Sequence, residues 1–261
     1  MHKMIKTLFL DIDGTLLSFE THRIPLSAVR AIEQAQAKGV KVIISTGRAL
    51  PLVRLVEGIK PDGYITNNGC ACYTADFREI YKAPIPDADL HAITEYVRDT
   101  GFAMAYCQEH RIIVNRSNDI VEEISQLLEL PDFPIVDEAE VFSADVTEII
   151  AYITEEEEIK FRELMPSCDF PRWHPLFTDI VRKGHSKQTG IDRMIEHFGC
   201  RLDETMAVGD GGNDVEMLRH VAIGVAMGNA TDEVKAHADH VTTHVDEDGL
   251  ANAIDKFILS V

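Results

Sequence analysis

The sequence predicts an α/β protein: a doubly wound, Rossmann-like parallel-sheet core with an α+β module inserted into it. Three observations predict this. Short continuous apolar runs alternate with helical stretches near both ends of the chain. Each run stops at glycine or polar residues, the end of the strand where such sheets bind ligands. Between the two alternating stretches the rhythm gives way to paired strands separated by helices. The expected division is a discontinuous core, 1–82 plus 183–261, and an inserted α/β domain, 83–182.

The opening run, Leu8-Phe9-Leu10, ends in Asp11-Ile12-Asp13-Gly14-Thr15-Leu16. Alternation along a strand puts Asp11 and Asp13 on one side, and Gly14 lets the chain turn away. Pro25-Leu26-Ser27 reads as a helix start with Ser27 as N-cap, and Gly39 stands where the helix stops. Val40–Ile44 is the next buried strand, ending in Ser45-Thr46-Gly47-Arg48, and a helix is expected from Leu50 to Glu57. Gly63-Tyr64-Ile65 runs into Asn67-Asn68-Gly69.

In the insert, Asp87–Thr100 reads as an amphipathic helix with Leu90, Ile93 and Val97 inward. Ala103–Cys107 and Arg111–Asn115 read as a hairpin, Asn118–Leu128 as a helix and Glu148–Ile153 as a strand. Cys168–Arg172 and Phe177–Val181 complete it as a strand pair. The Glu155–Glu158 run cannot converge on one metal, because successive helical residues point about 100° apart. With Thr154 as N-cap it reads as a solvated helix start. Alternation then returns. Lys187–Phe198 is a helix stopped by Gly199, and Thr205–Val208 is a strand ending in Gly209-Asp210-Gly211-Gly212-Asn213-Asp214. A helix from Val215 to His220, a strand Ala222–Val225, a helix Asp232–Ala238 and a last helix after Gly249 follow.

The formal net charge of −19 argues against nucleic acid and anionic membrane surfaces as partners, since both are bound by clustered Lys and Arg. No apolar run approaches the ~18 residues of a membrane span. The stretch from Met4 to Leu10 is too short for a signal peptide. The five cysteines show no zinc spacing and read as small apolar residues of a cytoplasmic protein. An anionic small molecule fits as a substrate only where a few cations converge or a metal is present; no obligate protein partner is evident.

Asp11 and Asp13 repel one another unless a cation or hydrogen-bond donors compensate, and a hard divalent metal is one remedy. A turn capped by two aspartates is the other reading. The Gly209–Asp214 turn likewise offers three oxygen-bearing side chains or an ordinary helix cap. It is not a dinucleotide fingerprint, because an Asp replaces the third glycine, and the chain holds no phosphate-binding P-loop motif.

Taken together, a strand ending D-x-D-G-T, a strand ending S-T-G-R, a helix-opening lysine and a strand ending G-D-G-G-N-D occur in that order. This pattern resembles the haloacid dehalogenase superfamily, specifically its Cof-type sugar-phosphate phosphatases with a large α/β cap. The resemblance covers essentially the whole chain, and residues 18–25 and 183–190 look close to bacterial hexose-phosphate phosphatases of this group. It implies a Mg²⁺-dependent phosphoric monoester hydrolase acting through an aspartyl-phosphate. Asp11 matches the nucleophile and Asp13 the general acid and base. Lys187 matches the lysine that holds nucleophile and phosphate. Thr46, with Gly47, Arg48 and Asn213, matches the phosphate-binding positions. The metal would take the carboxylates of Asp11 and Asp210 and the backbone carbonyl of Asp13, while Asp214 orients its surroundings. The insert matches the cap that excludes water, and Arg172, Trp173, His174 and Asp179 are its candidates for sugar contacts.

Other readings remain at this stage. They are a phosphatase of pyridoxal phosphate or flavin mononucleotide, a phosphomutase or phosphotransferase sharing the aspartyl-phosphate, and a non-catalytic phosphosugar-binding protein.

Overall fold

The computed structural model describes residues 4–53, 56–127, 130–172 and 174–260. Their strands, in chain order, are β1 (Thr7–Leu10), β2 (Lys41–Ser45), β3 (Gly63–Thr66), β4 (Ala71–Thr74), β5 (Glu79–Lys82), β6 (Met104–Gln108) and β7 (Ile112–Val114). They continue with β8 (Val146–Ala151), β9 (Cys168–Asp169), β10 (Thr178–Arg182), β11 (Thr205–Gly209), β12 (Ile223–Ala226) and β13 (His240–Val241). Among the described residues they form two sheets, ordered β13-β12-β11-β1-β2-β3-β4-β5 and β7-β6-β8-β10-β9. By contact the chain forms two compact units. The first is Met1–Arg48, Leu55–Tyr81 and Ser186–Val261; the second is Ala49–Arg54 and Lys82–His185.

In the first unit β1 lies between β2 and β11 and runs parallel to both, with Leu10 level with Ile44 and Val208. That register brings the residues after all three strands to one edge of the sheet. The strands are apolar between their ends because both faces are covered, as in parallel sheets generally. Leu8, Phe9 and Leu10 have no exposed surface. The helix Lys187–Phe198 lays Ile191 and Met194 against Phe9, Ile43, Ile65 and Ala207. Each such side chain contributes about 1.5–3 kcal/mol on burial. A Cβ on Gly190 would come within 2.3 Å of Ile65, so a larger residue there would push the helix off β3 and with it Lys187.

Several expected elements shift. The helix after Pro25 spans Leu26–Ala37, and Ser27 lies inside it rather than capping it. The Ser27 hydroxyl donates instead to Asp248 Oδ1 (2.5 Å). The helix expected to reach Glu57 is Leu50–Val53; Val56 and Glu57 are not helical, and residues 54 and 55 lie outside the described residues. Asp232–Lys235 is also shorter than expected. The antiparallel pairing of β4 with β3 was not anticipated, because its short fully buried run lacks alternation.

The second unit has an antiparallel sheet with apolar clusters on both faces. Leu90, Ile93 and Val97 of helix Asp87–Thr100 and Phe161 of helix Glu155–Leu164 pack with Met104, Tyr106, Ile149 and Ile180. Ala103, Ala105, Cys107 and Ile112 pack with Val121 and Ile124 of helix Asp119–Leu127, and Ala49 and Leu52 join this cluster. Thr154 caps the acidic helix as expected: its hydroxyl accepts from Glu157 N–H (3.4 Å) and Glu157 Oε2 accepts from Thr154 N–H (2.8 Å). Glu158 departs from the expected solvated face. It is buried, and it binds Arg162 and Arg172. The described cysteines are free thiols, four of them buried.

Candidate active site

Asp11 follows β1, and its amide N–H donates to Val208 O (3.1 Å), which fixes the backbone against β11. Its carboxylate is nearly buried and accepts from Lys187 Nζ at Oδ1 (2.6 Å). The same ammonium, fully buried, donates to Asp214 Oδ1 (2.5 Å). Lys187 opens its helix behind Ser186, whose N–H donates to Thr189 Oγ1 (2.8 Å). Leaving either carboxylate without this partner would cost about 3–5 kcal/mol.

The Gly209–Asp214 turn wraps round Asp214. Asp214 Oδ2 accepts from the N–H groups of Asp210 (2.9 Å) and Gly211 (2.8 Å). A Cβ on Gly209 would lie 2.5 Å from Asp214 Cγ, so the glycine makes room for it. Both Asp214 oxygens are therefore engaged. Asp210 Oδ1 accepts from Thr15 Oγ1 (3.0 Å) and Oδ2 from Asn229 Nδ2 (3.1 Å). Gly14, at φ 80°, passes so close that a Cβ there would fall 2.1 Å from Asp210 Oδ2.

Asp13 faces a different partner. Arg48 holds it in a two-pronged pair, Nε to Oδ2 (2.9 Å) and Nη2 to Oδ1 (2.6 Å). Thr46 Oγ1 accepts from the Arg48 N–H (3.0 Å), a local turn that aims the guanidinium. Gly47 passes the Asn68 side chain, where a Cβ would be 3.1 Å from Oδ1. Asn213 Nδ2 donates to that same oxygen (3.0 Å), joining the third strand's end to the acidic turn.

Carboxylate oxygens of Asp11, Asp210 and Asp214 all lie within 4.8 Å of one another. Burial, then the charges of Asp214, Asp210 and Asp13, push Asp11 well above the usual carboxylate range against the pull of Lys187. Burial and Asp214 push Asp210 up to about 7. Burial alone would lower the Lys187 ammonium, but Asp11 and Asp214 outweigh it and raise it. One ammonium thus stands against three carboxylates. The donor set, all hard oxygen, fits a divalent cation such as Mg²⁺. Asp11 and Asp210 would hold it; Asp214 is already committed to Lys187 and backbone amides. Asp13, turned to Arg48, is left with its carbonyl for a metal.

The second-unit candidates are placed differently. Arg172 spends Nε on Glu158 Oε2 (2.8 Å) and Nη1 on the carbonyls of Ile153, His174, Pro175 and Phe177. It staples its own loop. His174 accepts from Leu176 N–H at Nδ1 (3.2 Å) and stacks on Phe177 at 5.2 Å between centroids. Asp179 lies nine-tenths buried on β10, opposite Ile150 of β8. Trp173 lies outside the described residues.

Sequence reasoning gives no role to Thr15 or Asn229, and places Asn68 only as a polar strand end. Asn229 follows β12, and the rule that placed the other candidates at strand ends would have found it there.

Comparison with known proteins adds the ancestry. Residues 8–254 match the family model of the haloacid dehalogenase-like hydrolases. The Bacillus subtilis 5-amino-6-(5-phospho-D-ribitylamino)uracil phosphatase YcsE is 31% identical over 263 residues, covering 98% of this chain and 96% of its own. A solved phosphatase of the haloalkanoate superfamily from Bacteroides thetaiotaomicron, BT1666, superposes with a TM-score of 0.90 at 40% identity over 98% of this chain and 96% of that one. The subclass IIB sugar phosphatase BT4131 matches with a TM-score of 0.83 at 44% identity, over 97% and 98% of the two chains.

Proposed function

The chain belongs to the haloacid dehalogenase-like hydrolases, and from this premise we propose that it is a phosphatase that uses Mg²⁺ and Asp11 to hydrolyse small sugar phosphates. The carrying observation is the buried Lys187 ammonium shared by Asp11 and Asp214, with Asp210 beside them and Asp13 held apart by Arg48.

Each residue has a task in that reaction. Lys187 favours the ionised form of Asp11 and orients it through Oδ1, so the other oxygen attacks phosphorus in line. As the new O–P bond forms, the P–O bond to the sugar breaks and its electron pair leaves on the sugar oxygen. That oxygen takes a proton from Asp13. Asp13, now a carboxylate, takes a proton from water. The resulting hydroxide oxygen attacks the aspartyl-phosphate, releasing inorganic phosphate and regenerating Asp11. Arg48 must leave Asp13 before these proton transfers. A phosphate dianion gives its guanidinium an equally good two-pronged partner. Thr46, Gly47 and Asn213 complete the phosphate site. When bound, Mg²⁺ supplies positive charge against the phosphoryl oxygens.

Sugar phosphates are the preferred substrates in this reading because of the likeness to the subclass IIB sugar phosphatase, 44% identical to this chain. A phosphorylated ribityl chain is the competitor, favoured by the 31% identical uracil phosphatase. Choice among esters is assigned to the second unit, where His174, Trp173 and Asp179 remain the candidates. A steady-state panel of hexose and pentose phosphates, the phosphoribitylamino-uracil, flavin mononucleotide and pyridoxal phosphate, with and without Mg²⁺, tests it. Phosphate release should be fastest from sugar phosphates and vanish in EDTA. Tight binding without turnover across the panel would overturn it in favour of a sensor, and an isomerised product would indicate a mutase.

A further inference from the structure

Asp210 has an unusual seat for a half-buried carboxylate. Its oxygens rest on two neutral donors, the Thr15 hydroxyl (3.0 Å) and the Asn229 amide (3.1 Å). Asp214, by contrast, accepts from the Lys187 ammonium and two backbone N–H groups. A cationic partner offsets a carboxylate's charge, whereas a neutral donor fixes its direction and leaves the charge for an incoming ion.

Asn229 is itself held on every side. Its Nδ2 donates to Gly14 O (2.8 Å) as well as to Asp210, and its Oδ1 accepts from Val245 N–H (3.0 Å). The turn that carries it is tied down ahead of it. Met227 N–H donates to Gly209 O (3.0 Å) and Gly228 N–H to Thr243 O (2.9 Å). Space is tight as well, since a Cβ on Gly228 would lie 2.5 Å from the His244 nitrogen. One side chain therefore ties three segments together: the turn after β1, the turn after β11 and the stretch at Val245.

We propose that Asn229 is a positioning residue for the divalent cation, aiming the Asp210 carboxylate while fixing the Gly14 turn that follows Asp13. This rests on the reading of Asp210 as a metal ligand. Partners of this kind around a metal ligand are worth about 10–100-fold in metal affinity.

The test is calorimetric titration of the full chain with Mg²⁺ alone, beside kinetics at saturating Mg²⁺ and thermal melting in EDTA. Asn229→Ala should weaken Mg²⁺ binding about tenfold or more, with kcat at saturating Mg²⁺ within about threefold of the parent. Thr15→Val, which removes the other neutral donor at similar volume, should weaken binding in the same direction, and Thr15→Ser should restore it. Unchanged Mg²⁺ affinity in Asn229→Ala overturns the proposal, whatever its melting temperature does. So does a kcat loss that saturating Mg²⁺ leaves in place. Should the alanine variant not fold, Asn229→Ser carries the same expectations. Asp210→Asn separates the two levels: if it too binds Mg²⁺ like the parent, the reading of Asp210 as a ligand falls. If it loses binding while Asn229→Ala keeps it, only the role of Asn229 falls.

Discussion

Each unit of this protein buries charge, and the two do so in opposite ways. In the second unit Glu158 lies between two arginines: Arg162 Nε donates to Oε1 (2.7 Å) and Arg172 Nε to Oε2 (2.8 Å). Arg172 goes on to donate to carbonyls, and the two guanidiniums more than balance the one buried carboxylate. In the first unit, among the described residues, Lys187 is the cation that faces Asp11, Asp210 and Asp214. Negative charge is left over, in a place where burial makes it costly. In the proposed function the divalent cation offsets that excess. The number of buried charges does not separate the two clusters; whether the buried carboxylates are balanced by cations does.

The comparison can be broken most forcefully at Asp11. Asp11→Asn should lower turnover at least about 1,000-fold, as removal of a nucleophile does, while circular dichroism stays unchanged. Residual turnover near the parent level would remove Asp11 from the reaction.

Arg172→Ala addresses the balanced cluster. It strips Glu158 of one partner and frees several carbonyls, and should cost about 3 kcal/mol in urea unfolding without changing Mg²⁺ affinity. A loss of metal affinity instead would show that the two clusters are not independent.

pH sharpens the contrast further. The folded-state pKa of Asp210 is raised from 3.8 to about 7, so the native protein holds a proton there that the unfolded chain releases earlier. Its stability contribution is fully present below about 3.8 and is lost as pH rises through about 7. Metal-free protein should therefore lose melting temperature between pH 5 and 8, and Asp210→Asn should flatten that slope. Mg²⁺ should restore more stability at pH 8 than at pH 5, because it competes with the proton. Equal slopes in parent and variant would refute the assignment. The smallest effect belongs to the balanced side: Thr154→Ala removes a helix cap and should cost about 1 kcal/mol by thermal melting, with activity unaffected.

Much of the core was legible because its signals are local. An apolar strand that stops at Asp11, and another that stops at Asp210, announce themselves by residue type and by the glycine beside each. The helix Lys187–Phe198 was bounded correctly, since the β-α rhythm and Gly199, found at φ 65°, mark it in a single stretch of chain. Glu158 was misread because its four-acid run looks solvated, and only the distant Arg172 shows otherwise.

The sequence by itself determined the α/β class, the family, and which strand ends carry oxygen-bearing side chains. These depend on periodicity and on residues adjacent in the chain. Tertiary structure decided how those residues pair: Arg48 with Asp13 rather than with nothing, Lys187 between Asp11 and Asp214, Asn229 on Asp210 from a loop of its own. Partnerships across 176 positions, as for Lys187 and Asp11, arise from strand register and close backbone approach. Neither leaves a local mark in the chain.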